Sequence, residues 1–107
     1  MKLLKFRWSK VYESSEEELT GFLHARQITS DRQEGEAFST TGTKSFDQDT
    51  TLYCAEGSLV FQGEEARLSL QPGDALRVPA QLVFTLEAGM TGYVCYQATT
   101  NSLSPEE

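Results

Sequence analysis

Hydrophobic and polar positions alternate from the start of the chain. Leu4, Phe6 and Trp8 interleave with Lys5, Arg7 and Ser9. A period of two predicts a half-buried strand, because successive side chains of an extended backbone point to opposite faces; this strand is expected to run to about Tyr12. The period then changes. Ser15 followed three residues later by Glu18 makes a capping box, and Glu16, Glu17 and Glu18 favour the positive end of a helix dipole. Leu19, Phe22 and Leu23 recur at i, i+3 and i+4, and Arg26 sits near the negative end. The pattern predicts one short helix over about residues 15–26. Gly21 weakens it, so it depends on packing its apolar stripe against another element.

Beyond Gln27 the helical period does not return. Short runs rich in Val, Leu, Phe, Tyr and Thr are punctuated by Gly35, Gly42, Gly57, Gly63, Pro72-Gly73-Asp74, Pro79, Gly89 and Gly92. Evenly spaced short strands predict an all-β sandwich or barrel. The clearest hairpin joins Ser58–Gln62 to Ala66–Leu70 through Gly63-Glu64-Glu65. Gly73 is expected to supply a positive φ in its turn. Residues 99–107 read as a flexible acidic tail, which leaves 1–98 as a single domain.

The run from Thr50 to Gln97 resembles the barrel of the cupin superfamily. The second motif of that family places a Gly, then a Pro after five residues, then a His five positions beyond the Pro and an Asn four further on. Gly73, Pro79, Phe84 and Ala88 occupy those places. The first motif, His-x-His with a following Glu and a final Gly, falls on Thr43, Ser45, Thr50 and Gly57. The resemblance implies a double-stranded β-helix, or jelly-roll, barrel with the short helix outside it. It also implies that dimers are common, and the first strand is the piece expected to pair across a homodimer.

Metal in such a barrel needs imidazoles and a carboxylate pointing inward. Thr43, Ser45 and Thr50 offer neutral hydroxyls at those places, and Phe84 offers only a ring. The expectation is therefore a chain without metal or other cofactor. Asp47 and Asp49 are the alternative: carboxylates that would replace the missing Glu in a metalloenzyme with atypical ligands, or that simply cap turns in the KSFDQD loop. His24 lies off the apolar stripe of the helix and has no histidine partner in the chain, so an exposed, idle role is expected.

Two readings of the interior follow. Phe84 either fills the space a metal would take, making the barrel a plain core, or walls a pocket. A pocket would combine polar groups from Thr43, Ser45, Thr50, Arg77 and Tyr93 with apolar walls from Phe84 and Phe61. That mixture suits a small organic molecule, with Arg77 either holding a carboxylate or facing solvent.

Composition narrows the partners. The chain has 107 residues and 38% hydrophobic residues, enough for one core. Its formal charge of -7 disfavours nucleic acid and anionic membrane, which both demand a basic footprint. Four of the nine basic residues fall within the first ten positions, a basic first strand on an acidic body. No apolar run reaches membrane-spanning length, and the charged N-terminus does not read as a signal peptide, so the expected location is cytoplasmic. Cys54 and Cys95, well separated along the chain and in apolar contexts, read as reduced core residues. With no His or Lys beside either one, no activated nucleophile is visible, which weighs against catalysis. The expectation at this point is a cupin-like binding or interaction module.

Overall fold

The computed structural model describes residues 3–9, 15–64 and 66–99. Six strands and one helix follow in the order β1 (Leu4–Arg7), α1 (Glu16–Ala25), β2 (Asp31–Gly35), β3 (Thr50–Gly63), β4 (Arg67–Leu70), β5 (Asp74–Val78) and β6 (Phe84–Thr99). The strands are joined in the order β1-β5-β3-β6-β2, and β4 also pairs with β3. Every pairing is antiparallel. This is the jelly-roll barrel that the sequence leads one to expect.

The long strands β3 and β6 make the barrel by bending. Their ladder slips between Cys54 and Glu56 and again between Gly57 and Leu59. Bulges of this kind kink a strand and let it serve two layers. Gly57 and Gly92 meet at the bend, with φ of 70° and 75°. A Cβ on Gly57 would come within 2.0 Å of the Gly92 carbonyl oxygen, so the corner depends on bare backbone. Before the bend β3 pairs with β5 and the end of β6; after it, β3 pairs with β4 and the start of β6. The hairpin expected over 58–70 is present, with Leu59 opposite Leu70 and Gln62 opposite Arg67.

Strand alternation then sorts the side chains into two cores. Leu52, Cys54, Leu76, Val78 and Cys95 from one layer meet Leu59, Phe61, Leu70, Phe84 and Leu86 from the other inside the barrel. Residues of the opposite parity, Tyr53, Ala55, Ala75 and Ala98, face outward beneath Trp8, Leu19 and Leu23. The helix is thus held by the stripe that the sequence marks. Its capping box is formed: Ser15 Oγ accepts from Glu18 N at 3.2 Å, and Glu18 Oε1 accepts from Ser15 N at 3.0 Å. At the other end Gln27 takes φ 58°, and Ile28 N donates to Leu23 O at 2.9 Å, closing the helix without a glycine. Polar contacts add to this docking. Tyr96 Oη donates to Glu16 at 2.5 Å, and Arg32 of β2 reaches Glu16 as well as Glu34.

Two boundaries differ from expectation. β1 ends at Arg7, and Tyr12, where it was expected to stop, lies outside the described residues. β6 runs to Thr99, one residue into the segment assigned to the tail; residues 100–107 lie outside the description. Phe6 in β1 and Trp8 just beyond it pack under the helix as the alternation implies, but Leu4 is 51% exposed, because the outward face at this edge has no cover among the described residues. Gly73 has the expected positive φ, 99°, in a turn closed by Asp74 N donating to Gln71 O at 2.9 Å. Among the described residues, no helix is long and apolar enough to cross a membrane.

Candidate functional site

The barrel axis is filled by aromatic rings. Phe84, 2% exposed, stacks on Phe61 with ring centroids 4.9 Å apart and an interplanar angle of 22°. Its other neighbour is Phe46, at 5.3 Å and tilted by 40°. Phe84 therefore points inward, as its place at the start of β6 implies. Its backbone is fixed on both sides, with Phe84 N donating to Lys44 O at 2.9 Å and Lys44 N to Phe84 O at 2.8 Å. Tyr93 closes another part of the interior. Its ring covers Gly35, where a Cβ would stand 2.1 Å from the ring, and burial, helped by neighbouring Cys95, pushes its phenol above the ordinary value of 10.0.

A hollow of about 430 Å³ lies at one end of the barrel. Thr29, Ser30 and Asp31 line it from the start of β2, Gln97, Ala98 and Thr99 from the end of β6, and Phe46, Asp47, Gln48 and Thr50 from the approach to β3. Register explains the meeting. Asp31 lies opposite Gln97, and Thr50 opposite Thr99, so three chain segments distant in sequence end at one rim. The loop before β3 is pinned there. Gln81 N donates to Phe46 O at 2.8 Å, Ala80 N to Asp49 Oδ1 at 2.8 Å, and Thr50 Oγ1 to Gln48 O at 2.8 Å. The Pro79 turn thus does two things: it leads β6 inward at Phe84 and holds the loop that forms one wall of the hollow.

The six residues singled out as a binding set do not converge. Thr50 lines the hollow. Thr43 and Ser45 are exposed in the loop that runs beside the start of β6. Phe84 and Tyr93 belong to the interior core. Arg77 has the same parity as Ala75 and so lies on the outer face, in register with Leu4 and Thr51. Its Nε is shut from solvent without a hydrogen-bond partner among the described residues. Asp47 lines the hollow, whereas Asp49 caps the Pro79 turn. Sequence reasoning missed Asp31, Ser30 and Gln97. Their signal was nonlocal: only the β2–β6 register brings them to Thr50.

The positions where the resemblance would put metal ligands do not fit a metal. Thr43 and Ser45 face solvent, Thr50 spends its proton on Gln48 O, and Phe84 offers a ring packed between two others. Among the described residues, no group of three or more His, Cys, Asp or Glu converges as metal ligands would. His24 is exposed on the helix.

Cys54 and Cys95, distant in sequence, are register partners across β3 and β6. Both are free, and burial is the main cause that pushes each thiol up to about 12. A thiol so far from ionisation is a poor nucleophile at neutral pH.

The fold and rim together define a cupin-fold protein whose axis is packed. Comparison with solved structures agrees on the fold. A cupin superfamily protein from Desulfitobacterium hafniense superposes with a TM-score of 0.62 at 14% identity, covering 92% of this chain and 76% of its own. A DUF861 family protein from Thermotoga maritima gives 0.62 at 14% identity, over 92% of this chain and all of its own. A cupin-2 domain containing protein from Shewanella frigidimarina gives 0.58 at 14% identity, over 67% and 69%. No family model matches the sequence, and no curated protein matches it.

Proposed function

We propose that this chain is a small-molecule-binding module on a cupin fold, with its ligand seated in the hollow at the barrel end and no catalytic metal at its axis. One observation carries this reading: the Phe46–Phe84–Phe61 stack occupies the interior, while a polar concavity persists at the rim where three segments meet. Ligand sites combine a shaped hollow with a few fixed polar groups, and the rim supplies hydroxyls, carboxamides and carboxylates on a pinned loop. Against catalysis stand the two thiols held far from ionisation and a lone histidine out on the helix. The proposal includes a cytoplasmic setting, where reduced cysteines are the norm. It also includes a homodimer joined through β1, which ends the strand order and carries the exposed Leu4.

Backbone amide NMR with a fragment library tests the site. Binding should shift resonances of Thr29–Asp31, Asp47–Thr50 and Gln97–Thr99 together. A library that shifts no residue of the rim, or shifts only interior residues around Phe84, overturns the reading.

A further inference from the structure

Cys54 and Cys95 stand opposite one another in the β3–β6 ladder, 0% and 1% exposed, both free and both inside the barrel. The kind of pairing matters. The Cys54 carbonyl accepts from Gly73 N at 3.0 Å and from Trp8 Nε1 at 2.9 Å, so it is turned toward β5 and away from β6. The N–H and C=O of a strand residue share one lateral side. The two cysteines therefore exchange no backbone bonds and form a non-hydrogen-bonded pair. Such pairs bring Cα atoms to about 4.5 Å and hold facing side chains closest, within the roughly 4.4–6.8 Å that a disulfide spans. The ladder slips directly beside them, between Cys54 and Glu56, and the added twist of a bulge helps the two sulfurs meet.

We propose that Cys54 and Cys95 are a redox modification site: a buried thiol pair that an oxidant of the low-molecular-weight disulfide class converts into one cross-strand bond. In the first step one cysteine thiolate attacks a sulfur of the oxidant, forming a mixed disulfide and releasing one thiol. The second cysteine thiolate then attacks the protein sulfur of that mixed disulfide, closing the Cys54–Cys95 bond and releasing the second thiol. The pair gives up two electrons and two protons, and the oxidant carries both away as two thiols. Burial sets the rate. Both thiols are pushed up to about 12 and shut from solvent, so exchange proceeds through transient opening of the barrel. The bridge, once enclosed, is equally hidden from reductants. Its formation reaches β1. Trp8 hangs on the Cys54 carbonyl by its indole and on Gly73 O by its backbone N at 2.9 Å, so a shift of Cys54 passes to the end of β1 and to the core beneath the helix.

The test equilibrates the full chain in glutathione redox buffers, with and without urea below the unfolding midpoint. Samples are quenched in acid, unfolded, alkylated and digested for mass spectrometry. The expected product is one intramolecular bridge between the peptides that carry Cys54 and Cys95, formed about tenfold faster or more in urea because opening limits the exchange. Trp8, the one tryptophan of the chain, reports in parallel: its emission should change on oxidation and recover with dithiothreitol, while circular dichroism stays native. Cys54→Ala and Cys95→Ala, each shown folded by circular dichroism, should give neither the bridge nor the emission change. Glutathione adducts or intermolecular disulfides as the main products at the most oxidising ratio overturn the inference. So do two thiols that stay free in the urea samples, a bridge that abolishes the native dichroism, and an emission change that persists in either alanine variant.

Discussion

Phe84→Ala is the most informative single change, because it asks whether the ring on the axis is structural. The side chain is 2% exposed and touches aromatic rings on two sides, at 4.9 Å and 5.3 Å. Removing a buried Phe side chain costs about 3–5 kcal/mol, from lost transfer energy and the cavity left behind. The stacked contact with Phe61 contributes roughly 0.5–1.5 kcal/mol of its own beyond area burial, much of it already inside that range. In a domain of this size, such a loss lowers the melting temperature by roughly 15–30 °C. Urea unfolding of the wild type, Phe84→Ala and Phe84→Leu measures it. Leucine restores most of the volume and should cost under about 1.5 kcal/mol. Val83→Ala, next along the chain but 47% exposed, should change stability by less than about 0.5 kcal/mol. A Phe84→Ala loss below about 1 kcal/mol, equal to that of the Val83 control, would refute the packed axis.

Two further outcomes follow from titration. Cys54 and Cys95 should resist iodoacetamide in the native protein at pH 8 and both react once the chain is unfolded, as mass spectrometry would register. Because each thiol titrates near 12 when folded against an ordinary 9.0, their contribution to stability is intact below pH 9 and declines as the pH rises toward 12. Glu16 behaves oppositely. Its hydrogen bonds from Arg32, then Tyr96, hold its carboxyl below the ordinary 4.5, so its contribution is complete above that value and is lost as the pH falls through the folded one. Glu16→Gln should flatten the acid limb of the stability–pH curve slightly, the effect being small because the pair is exposed to solvent. An unchanged acid limb would detach Glu16 from helix docking.

Signals local in sequence read clearly, and those that depend on register did not. The helix was legible because Ser15, Glu18 and the Leu19/Phe22/Leu23 stripe each act within a few residues. The 58–70 hairpin and the Gly73 turn were legible for the same reason: turn chemistry sets them. The barrel itself was readable from the glycine and proline offsets shared with cupins. The rim was not. Asp31, Thr50 and Gln97 meet only because β2 and β3 flank β6 at a particular register, which no local period encodes. The same limit hid the pairing of Cys54 with Cys95. Arg77 was ambiguous because alternation along β5 fixes relative parity, and which parity faces inward depends on where Leu76 and Val78 pack.

An imidazole on the axis of such a barrel is useful only with partners, since one nitrogen donor cannot hold a transition metal in a defined geometry. Once the other donor positions carry hydroxyls that face solvent or close a local turn, an inward imidazole at position 84 would be a buried polar group without a compensating bond, which is destabilising. A phenyl ring there reverses the sign of the term. It adds apolar burial against Phe61 and Phe46 and removes the need for a ligand to complete the fold. The consequence reaches the rim. Phe84 packs against Phe46, which lines the hollow with Asp47, so the ring that fills the axis also supports a wall of the hollow. Core packing and the shape of the hollow are therefore coupled through one ring contact, and shortening Phe84 should loosen the hollow as well as the core.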